Sequence, residues 1–320
     1  MFTNIERSTY RAKATQWDIP KRLEVIVEEL RASGKAESLI TPEELEQEIT
    51  LTVLESIHEP EMIRAIQHAS LNCKPNEQTI TSYDSDGTNS CSVIESDTYE
   101  SALWAAWTAI LAAKTLTAGQ LPITYSLSRP PGHHVGRDYY HGFGFFNNSA
   151  AAAHVLRGVE NRVSILDIDA HHGDGTQDIF YEDPLIFFAS LHANPDIVFP
   201  YTGKADEIGM GAGLDTTLNL PFEIGVSVEQ YKSLLSQALK VIQDFSPRYL
   251  VLSAGFDTHV REYDNLPPLT KLDTSDYFDL GKMIGNAGLP ICFILEGGYN
   301  TKFLGQSYMQ ISRGLEESLS

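Results

Sequence analysis

The sequence predicts an α/β fold, a single domain with a mainly parallel central sheet flanked by helices. Three observations predict it. From about residue 120, apolar runs alternate with amphipathic segments, the strand–helix alternation of a parallel sheet covered on both faces. The apolar runs are continuous and rich in β-branched residues, as in strands buried on both sides. No repeat or low-complexity linker divides the 320 residues, which suffice for one large core.

The candidate strands are Ile123–Leu127, Val163–Ile168, Leu185–Leu191, Tyr249–Ser253 and Ile291–Leu295. Helix-like segments lie between them, near Asn147–Arg157, Ser227–Phe245 and Ser275–Gly285. Residues 1–95 read as a helix- and loop-rich part, acidic and short of strand signals, and 96–320 as the α/β core. Within the first part, Glu43–Ile57 has apolar residues at helical spacing, with Thr41-Pro42 as a cap and first-turn proline. Lys74–Ser92, rich in Ser, Thr, Asp and Asn, reads as a loop. The Ala- and Trp-rich Thr98–Thr117 reads as a helix packed on the sheet.

Composition narrows the classes. A formal net charge of −20 argues against nucleic acid, whose phosphates it would repel. It is compatible with cationic substrates and equally with a role in solubility alone. No stretch approaches the ~18–20 apolar residues of a membrane span, and Met1–Asn4 lacks signal-peptide features. Cys73, Cys91 and Cys292 show no CxxC spacing, and Cys292 sits in an apolar run as a small buried hydrophobe. The expectation is a cytoplasmic protein without a disulfide framework.

Parallel sheets bind ligands at the carboxyl ends of their strands, and every candidate strand here ends in polar chemistry. Asp169 and His171, two residues apart just past a strand end, project to the same side and can share one metal ion. Asp257, beyond another strand, is the third candidate. Two carboxylates and an imidazole without thiolate suit a catalytic divalent ion with a position open to water. The Pro-Pro-Gly loop before His133 and His134 stiffens two imidazoles suited to proton transfer near neutral pH. Asp167 and Asp174 are available to orient them. Glu296-Gly297-Gly298-Tyr299 can aim a phenol at a developing oxyanion. Phe143 and Phe199 can line a narrow channel for an aliphatic chain. Singly, each of these features is ordinarily structural; their weight lies in the convergence of strand ends.

Together the motifs Arg129–His134, Gly142–Asn148, Leu166–Asp178, Ser190-Leu191-His192, Ser253–Asp257 and Glu296–Tyr299 resemble the zinc-dependent histone deacetylase superfamily. The similarity is greatest to its acetylpolyamine amidohydrolase-like and class II members, and runs from about Tyr83 to the C-terminus. It implies the arginase–deacetylase fold and hydrolysis of an acetylated amine, with zinc (or ferrous iron) on Asp169, His171 and Asp257. His134 is then general base and later acid, His133 tunes the field, and Asp174 and Asp167 orient them. Tyr299 polarises the acetyl carbonyl, and Gly142 accepts the substrate amide N–H between Phe143 and Phe199. A structural potassium ion near Asp167, Asp169, His171, Ser190 and Leu191 is implied as well.

The resemblance leaves the substrate open between an acetyl-lysine peptide and an acetylated cationic small molecule. Leu266 falls near the position of a gatekeeper glutamate, and Cys91 near that of a dimer-loop glutamate. Asp84, Asp86, Glu262 and Asp264 are nearby acidic residues that could compensate. Monomer and homodimer both remain open. An arginase-like ureohydrolase would need a second metal, but His172-Gly173-Asp174 is one residue too long and Thr258-His259 omits the second Asp. A non-catalytic acetyl-ligand binder would be expected to lack a ligand, the base or the tyrosine.

Overall fold

The computed structural model describes residues 1–5, 17–74, 79–80, 92–158, 161–263 and 266–319. Seven strands form one all-parallel sheet: β1 (Phe2–Thr3), β4 (Ile123–Leu127), β5 (Val163–Asp167), β6 (Ile186–Ala193), β7 (Thr217–Phe222), β8 (Tyr249–Ala254) and β9 (Ile291–Leu295). Their order is β1-β4-β9-β8-β5-β6-β7. A separate antiparallel pair joins β2 (Thr79–Ile80) to β3 (Val93–Ile94). The α-helices are α1 (Lys21–Ala32), α2 (Gln47–Ile57), α3 (Pro60–Asn72), α4 (Thr98–Thr117), α5 (Asn148–Arg157), α6 (Asp174–Phe180), α7 (Val228–Phe245), α8 (Asp276–Gly285) and α9 (Leu304–Glu317).

The apolar runs are continuous because both sheet faces are covered. Val163, Ile165, Ile186, Phe188 and Val251 face a core with Leu54, Met62, Trp107 and Ala151. Leu166, Phe187, Leu250 and Leu252 face the opposite core, with Leu23, Leu235, Leu280 and Tyr308. Buried strands thus read as unbroken hydrophobic segments, although successive side chains point to opposite sides.

Local signals explain several boundaries. Asn147 caps α5 by accepting the Ala150 N–H at 2.8 Å, and Ser227 with Gln230 forms a capping box on α7. The expected start of a helix at Thr41-Pro42 is corrected: α2 begins only at Gln47. The Glu44 carbonyl accepts the Trp107 indole N–H at 2.9 Å, anchoring the approach to the helix in a non-helical conformation. The N-terminal part also contributes an unexpected strand, β1, paired with β4. The expected loop at Lys74–Ser92 lies largely outside the described residues, as do Asp84, Asp86, Cys91 and Asp264. Cys73 and Cys292 are buried. Among the described residues, no helix is long and apolar enough to cross a membrane.

Candidate active site

The adjacent strands β5 and β8 run in register, Asp167 opposite Ser253, so the loops beyond them emerge side by side. Each loop carries an acidic residue that is held by backbone N–H groups and presents an oxygen to the His171 ring, and the His171 backbone N–H itself donates to Asp169 Oδ1 at 3.0 Å. Asp169 Oδ2 accepts the Gly297 N–H at 2.9 Å, while its Oδ1 lies 3.2 Å from His171 Nδ1. Asp257 Oδ1 accepts the Ala170 N–H at 2.8 Å, while its Oδ2 lies 2.8 Å from the same His171 Nδ1. The ligand atoms of Asp169, His171 and Asp257 all fall within 4.8 Å of one another. Gly297 makes this approach possible: a Cβ there would collide with both Asp169 and Asp257.

The electrostatics of the trio call for a cation. Burial opposes charge on His171, but the Asp257 and Asp169 carboxylates outweigh it and push its pKa up to about 10. Burial and the neighbouring Asp169 raise the pKa of Asp257. Two carboxylates held this close favour a positive charge between them. Oxygen and imidazole donors oriented by backbone N–H groups fit a divalent ion such as zinc.

Beside the trio stand His133 and His134, their ring centroids 4.0 Å apart. His133 Nδ1 lies 3.0 Å from Asp167 Oδ2, and Nε2 lies 3.8 Å from Asp169 Oδ1. Although burial works against it, those two carboxylates hold the His133 pKa well above the ordinary imidazole value. His134 Nδ1 lies 2.7 Å from Asp174 Oδ1. Burial first, and His133 second, depress the His134 pKa to about 3 despite Asp174. It is therefore a neutral imidazole near pH 7, able to accept a proton. Glu296 holds this loop, its Oε2 accepting the Gly132 and His133 N–H groups at 2.8 and 3.2 Å.

Trp17, His134, Gly142, Phe143, His171, Phe199, Tyr263 and Tyr299 line a cavity of about 230 Å³. Gly142 and Phe143 both take left-handed backbone angles, φ 57° and 69°. The Phe143 ring stands edge-on to Tyr299 at 5.4 Å, and Phe199 edge-on to His134 at 5.1 Å. Tyr299 is a protonated donor: burial raises its pKa well above the phenol value, Arg22 opposes the rise, and Asp169 and Asp257 add to it.

Most sequence-predicted residues thus meet around one cavity. Asp167 and Asp174 sit behind the histidines, and Ser190 and Leu191 are buried on β6, with Ser190 the register partner of Asp167. Leu266 is 64% exposed and does not line the cavity. Trp17 and Tyr263 are lining residues that the motifs did not reveal; their rings meet edge-on at 5.7 Å. His141 was also missed, although it immediately precedes a recognised motif, and its Nε2 lies 2.7 Å from Asp174 Oδ2.

A three-ligand cluster, a neutral histidine backed by an aspartate and a buried phenol define an α/β protein with a candidate metallohydrolase centre. A model of the histone deacetylase domain matches residues 17–315, and the chain belongs to that family. It is 40% identical to an acetylpolyamine amidohydrolase of Mycoplana ramosa over 227 residues, 69% of this chain and 64% of the relative. It is 41% identical to chloroplastic histone deacetylase 14 of Arabidopsis thaliana over 212 residues, 62% of this chain and 48% of that protein. The chain therefore spans less than two thirds of either relative. A crystal structure of an acetylpolyamine aminohydrolase from Burkholderia pseudomallei superposes with a TM-score of 0.85 at 27% identity, covering 98% of each chain.

Proposed function

We propose that the whole chain, residues 1–320, is one deacetylase-like domain. Its proposed activity is metal-dependent removal of acetyl, or another acyl group, from the amine of acetyl-lysine or an acetylpolyamine. The carrying observation is that one cavity is lined by His171 of the metal-capable trio, the neutral His134 and the phenol of Tyr299.

Zinc, or ferrous iron, held by Asp169, His171 and Asp257 would polarise the acyl carbonyl and make water more acidic. With its Nδ1 proton directed at Asp174, His134 presents Nε2 to take a proton from the attacking water. It returns that proton to the leaving nitrogen. His133, kept cationic by Asp167 and Asp169, adds positive potential where negative charge accumulates. Tyr299 donates a hydrogen bond to the acyl oxygen as it gains charge. The Gly142 carbonyl accepts the scissile amide N–H, and Phe143 and Phe199 hold the aliphatic chain between their rings. Potassium near Asp167, Asp169, His171, Ser190 and Leu191, bound mainly by backbone carbonyls, belongs to the same reading. So does a cytoplasmic location, supported by the free buried thiol of Cys292.

The deciding experiment compares kcat/KM of the zinc-loaded chain on N-acetylputrescine or acetylspermidine and on an acetyl-lysine peptide. A large preference for either assigns the substrate class. No turnover of these or of longer acyl-lysines, with the metal stoichiometrically bound, would overturn the enzymatic reading and favour an acetyl-ligand binder.

A further inference from the structure

We propose that His134, His141 and Asp174 form a second divalent-metal site, whose occupation disables the base. The disabling part rests on the reading of His134 as proton acceptor; the binding part does not. Among the described residues, two trios of metal-capable side chains bring their ligand atoms within 4.8 Å. One is Asp169, His171 and Asp257, and the other is this one.

Asp174 stands between two imidazoles. Its Oδ1 lies 2.7 Å from His134 Nδ1 and its Oδ2 lies 2.7 Å from His141 Nε2. The Tyr139 hydroxyl also donates to Oδ2, at 3.1 Å. Orienting a general base requires one acceptor at its Nδ1, and Asp174 Oδ1 already supplies it. His141 brings a second imidazole to the same carboxylate, which the acid–base step does not use. Two imidazole nitrogens and a carboxylate oxygen are zinc donors. With metal–ligand bonds of about 2.0–2.2 Å, small movements from hydrogen-bond separations would admit an ion. The approach is from the cavity: His134 lines it, and the His141 ring lies 5.1 Å from that of Phe199, another lining residue. The His141 side chain is 14% exposed.

The consequence follows from tautomers. Neutral His134 carries its proton on Nδ1 and its lone pair on Nε2. An ion bound at Nδ1 requires that proton to move to Nε2, through solvent, and the His134 ring stays neutral. Binding at His141 requires its Nε2 lone pair, with any proton there released to solvent or moved to Nδ1. His134 Nε2 has then become a donor and can no longer accept a proton from water.

The test titrates the metal-free chain with Zn²⁺ alone and counts bound ions by calorimetry and by metal analysis after equilibrium dialysis. Two ions are expected in the native chain, the second weaker, with turnover declining as the second binds. His141→Gln keeps an N–H donor for Asp174 but removes the imidazole; it should bind one ion and need at least tenfold more zinc for inhibition. His141→Phe provides an independent second variant with the same expected stoichiometry. A single ion in the native chain, or two ions undiminished in both variants, would overturn the proposal. Failure of every acylated substrate would sink the enzymatic reading, whereas the ion count would still decide whether this site exists.

Discussion

The Oε1 of Glu262 accepts the backbone N–H of Tyr299 at 2.5 Å, and its Oε2 accepts that of Asn300 at 3.2 Å. One buried carboxylate thus pins the turn on which the cavity's phenol stands. Burial, with Asp257 second, raises the Glu262 pKa to about 8. Its folded pKa lies above its unfolded value, so the native chain binds the extra proton in the window between them. The resulting stability is complete below the ordinary glutamate range and is lost as pH rises towards about 8. In metal-free protein, Glu262→Gln should show a smaller fall in Tm from about pH 5 to about pH 9 than the native chain. Equal falls in the two proteins would show that Glu262 does not titrate there.

Tyr299→Phe removes the hydroxyl and little else. The expected result is a loss of about 10²–10³-fold in kcat with KM and zinc content nearly unchanged. Near-normal turnover would rule out the phenol as the oxyanion donor.

Asp18 holds two arginines in the interior. Its Oδ1 accepts from Arg22 Nη1 at 2.7 Å and Arg129 Nε at 2.8 Å, and no side chain of the three is exposed to solvent. Burial opposes the charge on Asp18, but Arg129 and Arg22 outweigh it and lower its pKa. Asp18→Asn should cost about 3–5 kcal/mol by removing the buried carboxylate charge beside two guanidiniums. Chemical denaturation would show this as a lower midpoint at unchanged slope, and an unchanged midpoint would contradict it.

Gly142 lies flat against the base. A Cβ there would run into the His134 ring, and the φ of 57° disfavours any side chain. Gly142→Ala should therefore lower Tm and, by displacing His134, reduce kcat/KM by about a hundredfold. Metal content should hold, because the three atoms nearest such a Cβ all belong to His134. Loss of the metal instead would mean that the substitution spreads beyond the base.

What could be read from the chain alone follows a physical division. The strands Ile123–Leu127 and Ile291–Leu295 were legible end to end because burial on both faces makes them continuously apolar. Strand β7 was not, since Asn219 and Pro221 interrupt its sequence; at the edge of the sheet a proline is tolerated. Asp169, His171, His134 and Tyr299 were legible because each directly follows a strand or a stiff loop. Trp17, Tyr263, Glu262 and His141 gain their positions from the folding of loops across one another, which no local spacing encodes. Leu266 is exposed and is not among the cavity-lining residues, so its loop position is read from the resemblance rather than from local spacing.

Asp169 and Asp257 extend from hydrogen-bonded neighbours, β5 and β8, in a fixed register. The separation of their two loops is therefore inherited from the interval between adjacent parallel strands, about 4.8 Å. Side-chain substitutions cannot stretch that interval, because it is a lattice constant of the peptide backbone. The gauge of this centre is cut by main-chain geometry, and the side chains on the two loops meet across an interval the sheet has set.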